Sequence, residues 1–409
     1  GAANSCGMQK PVCTGSFTQQ EPIPEAGIAA AVAVMRSGRL HRYNVAGDEE
    51  GEVATLEREF AAFTGARHAL AVASGGYAMA CALRALGVGP GDTVLSNGFT
   101  LAPVPGAIAS VGAEPVFVET TEALTIDLDD LAAKAASSGA SVLLLSHMRG
   151  HVCDMDRLMQ VARAHDLQVI EDCAHTMGAA WRGVPSGRHG VIGCYSTQTY
   201  KHMNSGEGGL IVSDDPDIMA RAVLLSGSYM LFGRHSVGPP VDRFENVKYD
   251  TPNVSGRMDN MRAAILRPQL ADLPAQIARW NALYRRVEAG LRDTPGLQIV
   301  ERPPQESIVG SSIQVLLPGW SPDRVRALLA ACSARGVELK WFGAEEPVAF
   351  TSRYDSWRYA TAQRLPRTDA ILGGLIDMRL PLTFSEADAR LIAEIIRDEV
   401  IGAQARAAE

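Results

Sequence analysis

The chain of 409 residues is 46% hydrophobic and 21% charged, with a formal net charge of −8. This length can bury a sizeable core in more than one domain, and the negative charge argues against nucleic acid or an anionic membrane surface as a partner. No apolar run approaches the roughly 18 residues that a membrane helix requires. The seven cysteines are scattered without a CxxC pair, so they indicate neither a metal site nor a disulfide framework, and we expect a reducing cytoplasm.

The first half of the chain begins with a small, polar segment that lacks the apolar centre of a signal peptide. Beyond it, short apolar runs alternate with helical patterns. Strands are predicted at 69–72, 94–95, 115–118, 142–146, 168–170, 195–196 and 208–212. Helices are predicted at 25–36, 52–63, 77–86, 101–111, 128–137, 153–165 and 216–225. This alternation predicts an α/β fold with a mostly parallel central sheet covered by helices on both faces.

The second half of the chain has a different pattern. Residues 230–253 are rich in Gly, Pro and charge, which predicts a long, functional loop. A long helix at 258–291 is followed by strands near 312–317 and 337–341 and by helices at 322–335 and 385–400. We therefore predict three parts: a flexible segment (1–22), a large α/β domain (23–265), and a linking helix with a smaller α+β domain (266–409).

One stretch, residues 167–209, carries the chemistry. An apolar run ends at Asp172, where a buried strand would reach the edge at which open α/β sheets bind ligands. Lys201 follows the next apolar run in a polar turn, and the chain has only four other lysines. An anion and an amine at neighbouring strand ends suit pyridoxal phosphate, whose pyridine nitrogen pairs with an anion and whose aldehyde reacts with an amine. The alternatives are a capping or solvated aspartate and a surface lysine.

Two further features could bind the phosphate of such a cofactor. Residues 74–77 (SGGY) lie between a predicted strand and a predicted helix, where small residues let backbone N–H groups approach an anion. Ser196 precedes Lys201 by five residues and could contribute its hydroxyl. The GxxxxGK[ST] spacing of a P-loop is absent, which disfavours a nucleotide bound in that way.

Several segments together resemble the DegT/DnrJ/EryC1/StrS family of fold-type I pyridoxal-phosphate enzymes, the sugar and aminocyclitol aminotransferases. The resemblance runs from about residue 22 to about residue 400. Its segments are LEREFAAFTGARHALAVASGG, GVGPGDTVL, GAEPVFVE, VIEDCAHTMGA, YSTQTYKHMNSGEGG, RMDNMRAAIL and RLPLTFSEADARLIAEII. It implies a fold-type I α/β enzyme with a small-molecule amino donor and a keto acceptor.

The resemblance also implies roles for the matching residues. Lys201 would form the Schiff base (the internal aldimine) with pyridoxal 5′-phosphate and shuttle the proton, with pyridoxamine 5′-phosphate as the intermediate form. Asp172 would pair with the pyridine nitrogen, and His175 would contact the ring hydroxyl. The phosphate would be held by Gly75, Gly76 and Ser196.

In the family, a homodimer shares its active sites, which implies that a partner supplies the segment with Ser255 and Arg257. Ser255 replaces the usual asparagine there. The family's Gly-Thr-Ala phosphate loop reads Gly75-Gly76-Tyr77, so Tyr77 joins the predicted cofactor-binding residues. The aromatic residue that stacks on the ring is displaced: Leu101 occupies its position, and Phe99 is the nearest ring. These departures leave cofactor binding intact and put the usual substrate in question.

Arg149 is the main candidate for substrate binding, because it follows a buried strand at a position where the family commonly has an aromatic residue. Its guanidinium could bind a substrate carboxylate in a bidentate manner. The alternative is a structural ion pair with Asp154 or Asp156. The histidines on either side, His147 and His151, are interpreted as structural because no third ligand has metal spacing.

Tyr229, Arg234 and His235 precede the long helix and could line the entrance of the site. A solvated loop is the favoured interpretation of each, and Tyr229 and Arg257 are kept as candidates for substrate binding.

Three functions remain open from the sequence. The first is an aminotransferase that takes its amino group from glutamate or glutamine and gives it to a keto group of a sugar, a cyclitol or another small metabolite. The second keeps the fold and cofactor but catalyses elimination, dehydration, decarboxylation or substitution on an amino acid. The third is a non-catalytic, cofactor-bound regulator.

Overall fold

The structure is a computed structural model that describes residues 8–409. The α-helices within these residues are α1 (Glu25–Ser37), α2 (Glu52–Thr64), α3 (Gly75–Ala85), α4 (Pro103–Ser110), α5 (Leu128–Ser138), α6 (Met155–Ala164), α7 (Pro216–Ser226), α8 (Asn260–Leu291), α9 (Pro322–Ala334), α10 (Pro366–Leu372) and α11 (Glu386–Ala408). The strands are β1 (His68–Val72), β2 (Thr93–Asn97), β3 (Glu114–Val118), β4 (Val142–Ser146), β5 (Gln168–Asp172), β6 (Ala180–Trp181), β7 (Val184–Pro185), β8 (Ile192–Ser196), β9 (Gly209–Ser213), β10 (Gln298–Ile299), β11 (Glu306–Ser307), β12 (Ser312–Leu316), β13 (Lys340–Trp341) and β14 (Leu375–Arg379).

Seven strands form the central sheet in the order β1-β9-β8-β5-β4-β2-β3, and only β9 is antiparallel to its neighbours. The two faces of the sheet are covered separately. In β4, Val142 and Leu144 belong to the apolar cluster that includes α3 and α7, whereas Leu143 and Leu145 belong to the cluster that includes α5 and α6. This alternation is the consequence of the two-residue period of a strand. The predicted fold, a mostly parallel sheet covered on both faces, is confirmed.

The parallel strands bring their carboxyl ends to one edge of the sheet. Ser146, the last residue of β4, is directly opposite Asp172, the last residue of β5. The next strand, β8, ends at Ser196, and the chain leaving β1 turns into α3 at Gly75. Ligands of open α/β sheets bind at this edge, so the residues that the sequence singled out are delivered to one place.

The C-terminal part contains a second, antiparallel sheet in the order β10-β12-β14-β13. β14 and α10 were not predicted from the sequence, and a small third sheet joins β11, β6 and β7. α8 contacts α1 and α2 as well as α11 and so links the two parts. The predicted domain limits at 23–265 and 266–409 remain a prediction.

The segment predicted to be flexible (1–22) packs against the C-terminal part at two of the residues that the structure describes. Cys13 and Phe17 are buried in the apolar cluster of the C-terminal part. The Cys13 N–H donates a hydrogen bond of 2.8 Å to the carbonyl of Arg335, and the Phe17 ring lies 4.8 Å from that of Phe384 in an edge-to-face arrangement. Residues 1–7 lie outside the described residues.

The predicted loop at 230–253 is irregular but partly buried. The rings of Phe232 and Phe244 stack with their centroids 4.2 Å apart. His235, for which we favoured a solvated position, is buried, and its Nε2 lies 2.7 Å from the Tyr43 hydroxyl. That interpretation is therefore wrong for His235, because its ring completes a buried polar network. Arg234 donates to the Tyr43 carbonyl at 2.8 Å.

The centre of this network is the ion pair between Arg42 and Glu57. Two parallel hydrogen bonds of 2.8 and 2.7 Å join the guanidinium to the carboxylate, and neither side chain has appreciable contact with water. Glu57 Oε2 also accepts the N–H of Ala71 in β1 at 2.7 Å. One carboxylate thus connects the segment before α2, α2 itself and the edge strand of the central sheet.

Within residues 8–409, no helix combines the length and apolar character needed to cross a bilayer.

We expect Glu57→Gln to lower the free energy of unfolding by about 3–5 kcal/mol, because it leaves the buried guanidinium of Arg42 without a counter-charge. Urea denaturation followed by circular dichroism measures the change. The control is Glu50→Gln, which removes the exposed partner of Arg58 and should have little effect. Equal stability of the two variants would contradict the role given to Glu57.

Candidate active site

Lys201 borders two adjoining cavities at the carboxyl edge of the central sheet. The first cavity, of about 470 Å³, is lined by Gly75, Asp172, His175 and Ser196 among others. The second cavity, of about 540 Å³, is lined by a different set of polar and aromatic side chains, namely Arg149, Gln198, Tyr200, His202, Ser311, Ser312, Phe350 and Arg379. Leu101, Ala174, His175 and Lys201 line both cavities, so a molecule in one contacts the same lysine as a molecule in the other.

The amine of Lys201 loses its proton at a lower pH than an ordinary lysine does. Burial of the amine lowers its pKa from 10.5 to about 8, and the positive charge of Arg149 acts in the same direction. Asp172 opposes this effect without cancelling it. Desolvation and a neighbouring cation both disfavour the charged form of a lysine, and the uncharged amine is the nucleophile and the base.

His175 is in hydrogen-bonding contact with this amine. Its Nδ1 accepts the backbone N–H of Arg149 at 2.8 Å, and its Nε2 lies 3.0 Å from Lys201 Nζ. Burial and the charge of Lys201 hold the pKa of the imidazole well below its usual value, so the ring is neutral and carries one proton. A backbone N–H can only donate, which leaves that proton on Nε2. His175 can therefore donate to Lys201 whenever the amine is uncharged, a form whose share grows as the pH rises towards the lysine pKa of about 8.

An unusual backbone conformation holds the donor in place. Arg149 has φ 55° and ψ 25°, in the left-handed region, within a single turn of 3-10 helix after β4. That region is uncommon for a residue with a side chain, and it persists where surrounding contacts fix it. Here the conformation aims the Arg149 N–H at the imidazole.

Asp172 faces the first cavity as a hydrogen-bonded anion. Its Oδ2 accepts the Ser146 hydroxyl at 3.0 Å and its Oδ1 accepts the Ala174 N–H at 3.1 Å. Ser146 is positioned in turn by Asn97 and Thr100, at 2.8 Å in each case. Ser146 was not among the predicted site residues, although the predicted strands place it at the end of β4, directly beside the end of β5.

The first turn of α3 meets the end of β8 at close range. A Cβ added to Gly75 would lie 2.9 Å from the Cβ of Ser196, so only glycine fits this approach. The Ser74 hydroxyl caps the helix by accepting the Tyr77 N–H at 3.0 Å. The N–H groups of Gly75 and Gly76, in the first turn of the helix, have no partner within it and can bind an anion.

Two of the predicted cofactor-binding residues lie elsewhere. The N–H of Tyr77 is used by the cap, and its hydroxyl donates to the carbonyls of Val254 at 2.7 Å and Leu225 at 3.0 Å, so its side chain lies away from the first cavity. Phe99 is buried against Phe342, with the ring centroids 5.1 Å apart, and Leu101 lines both cavities in its place. The structure thus corrects the assignments of Tyr77 and Phe99.

Arg149 is paired, but with neither of the predicted aspartates. Its Nη2 lies 3.1 Å from Oδ2 of Asp377 in β14. Asp154 instead caps α6 by accepting the Arg157 N–H at 3.1 Å, and Asp156 pairs with Arg182 at 2.9 Å. The predicted alternative was wrong about the partner, because Asp377 belongs to a strand that the sequence analysis did not predict.

The flanking histidines are hydrogen-bonded within the protein. His147 Nε2 lies 2.9 Å from the buried carboxylate of Glu171, and His151 Nε2 lies 2.6 Å from Oε1 of Gln314. These contacts agree with a structural role, but His147, Glu171 and Cys173 offer buried ligand atoms within 4.8 Å of one another, so the predicted lack of a third ligand does not hold for His147.

Ser255, Arg257 and Tyr229 lie together outside both cavities of their own chain. Arg257 Nη1 donates to the Gly227 carbonyl at 3.1 Å and to the Ser255 hydroxyl at 3.2 Å, and its guanidinium lies 5.2 Å from the centre of the Tyr229 ring. Tyr229 is 60% exposed and has φ 49°. This cluster does not contact Lys201 within one chain.

Comparison with known proteins gives the family of the chain. Residues 23–397 match the DegT/DnrJ/EryC1/StrS aminotransferase family. The 3-amino-5-hydroxybenzoate synthase of Amycolatopsis mediterranei (strain S699) is 33% identical over 365 residues, which are 85% of this chain and 89% of that protein. The L-glutamine:2-deoxy-scyllo-inosose aminotransferase of Streptomyces lividus is 34% identical over 280 residues, 66% of this chain and 63% of that protein. The crystal structure of 3-amino-5-hydroxybenzoic acid synthase superposes with a TM-score of 0.79 at 28% identity and covers 96% of this chain and 100% of that one. The chain therefore belongs to the DegT/DnrJ/EryC1/StrS aminotransferase family and is an aminotransferase.

Proposed function

We propose that the chain binds pyridoxal 5′-phosphate in the first cavity and moves an amino group from glutamate or glutamine to the keto group of a small metabolite. The observation that carries the proposal is the buried amine of Lys201, whose lowered pKa favours the reactive uncharged form and which lies 3.0 Å from His175 beside the carboxylate of Asp172. Transamination, rather than elimination or decarboxylation on the same fold, agrees with the aminotransferases among the relatives.

The residues of the first cavity fit the three polar groups of this cofactor. An aldehyde needs an uncharged amine, a pyridine nitrogen needs an anion, and a phosphate needs N–H and hydroxyl donors. All three groups lie at one edge of the sheet: Lys201 supplies the amine, Asp172 supplies the anion, and Gly75 with Ser196 supplies the N–H and hydroxyl donors. The absence of room for a side chain at Gly75 allows the backbone to approach the phosphate.

The bound cofactor supplies an aldehyde that takes up the amino group and a ring that withdraws electrons from the reacting carbon. Lys201 supplies the amine, and its pKa of about 8 lets it both accept and return a proton at that carbon. Asp172 holds a proton at the ring nitrogen. The Nε2–H of His175 is available to an oxygen on the ring once the lysine is engaged.

The donor and acceptor are proposed from the relatives. One relative is named an L-glutamine:2-deoxy-scyllo-inosose aminotransferase and another a dTDP-3-amino-3,4,6-trideoxy-alpha-D-glucose transaminase. We propose glutamate or glutamine as the donor on this basis. The six cysteines within residues 8–409 are free, buried thiols, which supports a reducing compartment such as the cytoplasm.

We also propose a homodimer with shared active sites. Large apolar side chains are exposed on the segment that carries Tyr229 and Arg257; they are Tyr229, Met230, Val241, Tyr249 and Val254. An exposed apolar patch of this kind is typical of an interface. A second copy would cover the patch and bring the Arg257 cluster to the partner's cavities, which explains why that cluster lies outside the cavities of its own chain.

Borohydride reduction of the cofactor-loaded protein should attach the cofactor to Lys201, identified by mass spectrometry of the tryptic peptides. Lys201→Ala should abolish this attachment and lower the turnover number by about a thousandfold or more, because the proton transfer is lost. Lys134→Ala is the control and should retain both. Attachment at Lys340 or full activity of Lys201→Ala would overturn the assignment.

The shared site can be tested by mixing two inactive variants. Lys201→Ala and Arg257→Ala, each with its own affinity tag, are co-expressed, and the species that carries both tags is purified. That heterodimer has one intact site and should recover about half of the wild-type activity. If the doubly tagged species shows no restored activity, or if the protein is a monomer in analytical ultracentrifugation, the shared site is contradicted.

A further inference from the structure

The second cavity is lined by an excess of positive charge. Arg149 and Arg379 both line it, and Lys201 adds a third basic group at its boundary with the first cavity. Asp377 is the one acidic group paired with them in the described part of the chain, and its Oδ1 is already occupied by Gln314 at 2.7 Å. Buried charges are stable when they are paired, so this cavity lacks a negative charge.

Arg149 has donors that the protein leaves unused. It is only 8% exposed, and neither its Nε nor its Nη2 makes a hydrogen bond of proper geometry. The 3.1 Å contact between Nη2 and Asp377 is an ion pair whose angle does not meet the hydrogen-bond geometry. Buried guanidinium donors of this kind are satisfied in most proteins, so their presence at the wall of a cavity points to a ligand.

Arg379 presents a second guanidinium to the same space. It lies two residues after Asp377 in β14 and therefore on the same face of the sheet. Its planar group lies 3.8 Å from the centre of the Tyr200 ring, and within residues 8–409 no carboxylate approaches it within 4.0 Å. Stacking fixes the plane of the guanidinium and leaves its edge free to bind an anion.

Lys340 strengthens the positive field from the neighbouring strand. It is opposite Asp377 in the register of β13 and β14, so it shares that face of the sheet. Burial and the charge of Arg379 lower the pKa of Lys340 to about 8. The pKa of Arg379 is lowered as well, by burial and by the charge of Arg149. These basic groups repel one another until an anion enters.

We propose that the second cavity is a carboxylate site, in which Arg149 and Arg379 bind a carboxylate of the molecule that reacts at Lys201. The proposal rests on the transamination proposed above and names its substrate class. Donor and acceptor occupy the same cavity in turn, beside the same lysine. A neutral sugar or cyclitol would leave both guanidinium groups unpaired, whereas a keto acid satisfies them. The keto acceptor, like the amino donor, is therefore a carboxylate-bearing small molecule.

The test compares a keto acid with its neutral amide. Levulinate and levulinamide differ only in the charged group, and isothermal titration calorimetry on the cofactor-loaded protein gives both dissociation constants. The wild type should bind levulinate about tenfold more tightly or better. In Arg379→Gln the preference should fall to about one, and in Arg149→Gln it should fall as well. Arg58→Gln, which removes an exposed arginine on α2, should keep the wild-type preference.

Two further measurements make the outcome unambiguous. Borohydride labelling of Lys201 in every variant shows whether the cofactor is bound. A lack of labelling in the wild type would contradict the proposed function rather than the carboxylate site. With labelling intact, three results would overturn the carboxylate site: equal binding of acid and amide by the wild type, no binding of the acid, or an unchanged preference in Arg379→Gln. Inorganic phosphate that binds more tightly than levulinate, and that depends on Arg379, would also overturn it.

Discussion

The hydrogen bond between His175 and Lys201 is the interaction on which the site depends. A neutral imidazole carries a single proton, and the N–H of Arg149 occupies Nδ1 as a donor. The proton must then lie on Nε2, so His175 donates to the lysine in the uncharged form of the amine and favours that form. The left-handed backbone at Arg149 sustains this arrangement, because it aims the N–H at the ring. A backbone conformation thus fixes the tautomer of a side chain in the turn that follows β5.

The guanidinium groups of the second cavity also favour the uncharged form of the Lys201 amine. Arg149 and Arg379 lower the pKa of Lys201 through their charge, in addition to the effect of burial. An anion bound between them would reduce that influence and raise the pKa again. Binding of a carboxylate substrate and protonation of the lysine are therefore linked: a smaller fraction of the amine carries a proton before the substrate enters than afterwards. A neutral ligand would not produce this change.

Most of the large domain and the cofactor-binding part of the site could be predicted from the sequence. The strand at 142–146 has the predicted limits, and Asp172, Ser196 and Lys201 meet at one edge of a sheet whose parallel order followed from the alternation of strands and helices. Tyr77 and Phe99 were misplaced because a local pattern gives the position of a residue and not the direction of its side chain. The substrate-binding part of the site could be predicted less well from the sequence. β14 is a short apolar run interrupted by Asp377 and ended by Arg379, and their contacts with Arg149 and Tyr200 join segments that are distant in sequence. The partner of a buried charge is decided by packing, which no single stretch of the chain encodes.

The protonation states of His175 and Lys201 can be measured directly by nitrogen-15 NMR on the cofactor-free protein labelled at histidine and lysine. We predict a neutral His175 at pH 7 with its proton on Nε2, and a Lys201 amine that titrates with a midpoint near its lowered pKa of about 8. A proton on Nδ1, a positively charged imidazole at pH 7, or a Lys201 that titrates near the ordinary lysine value of 10.5 would contradict this prediction.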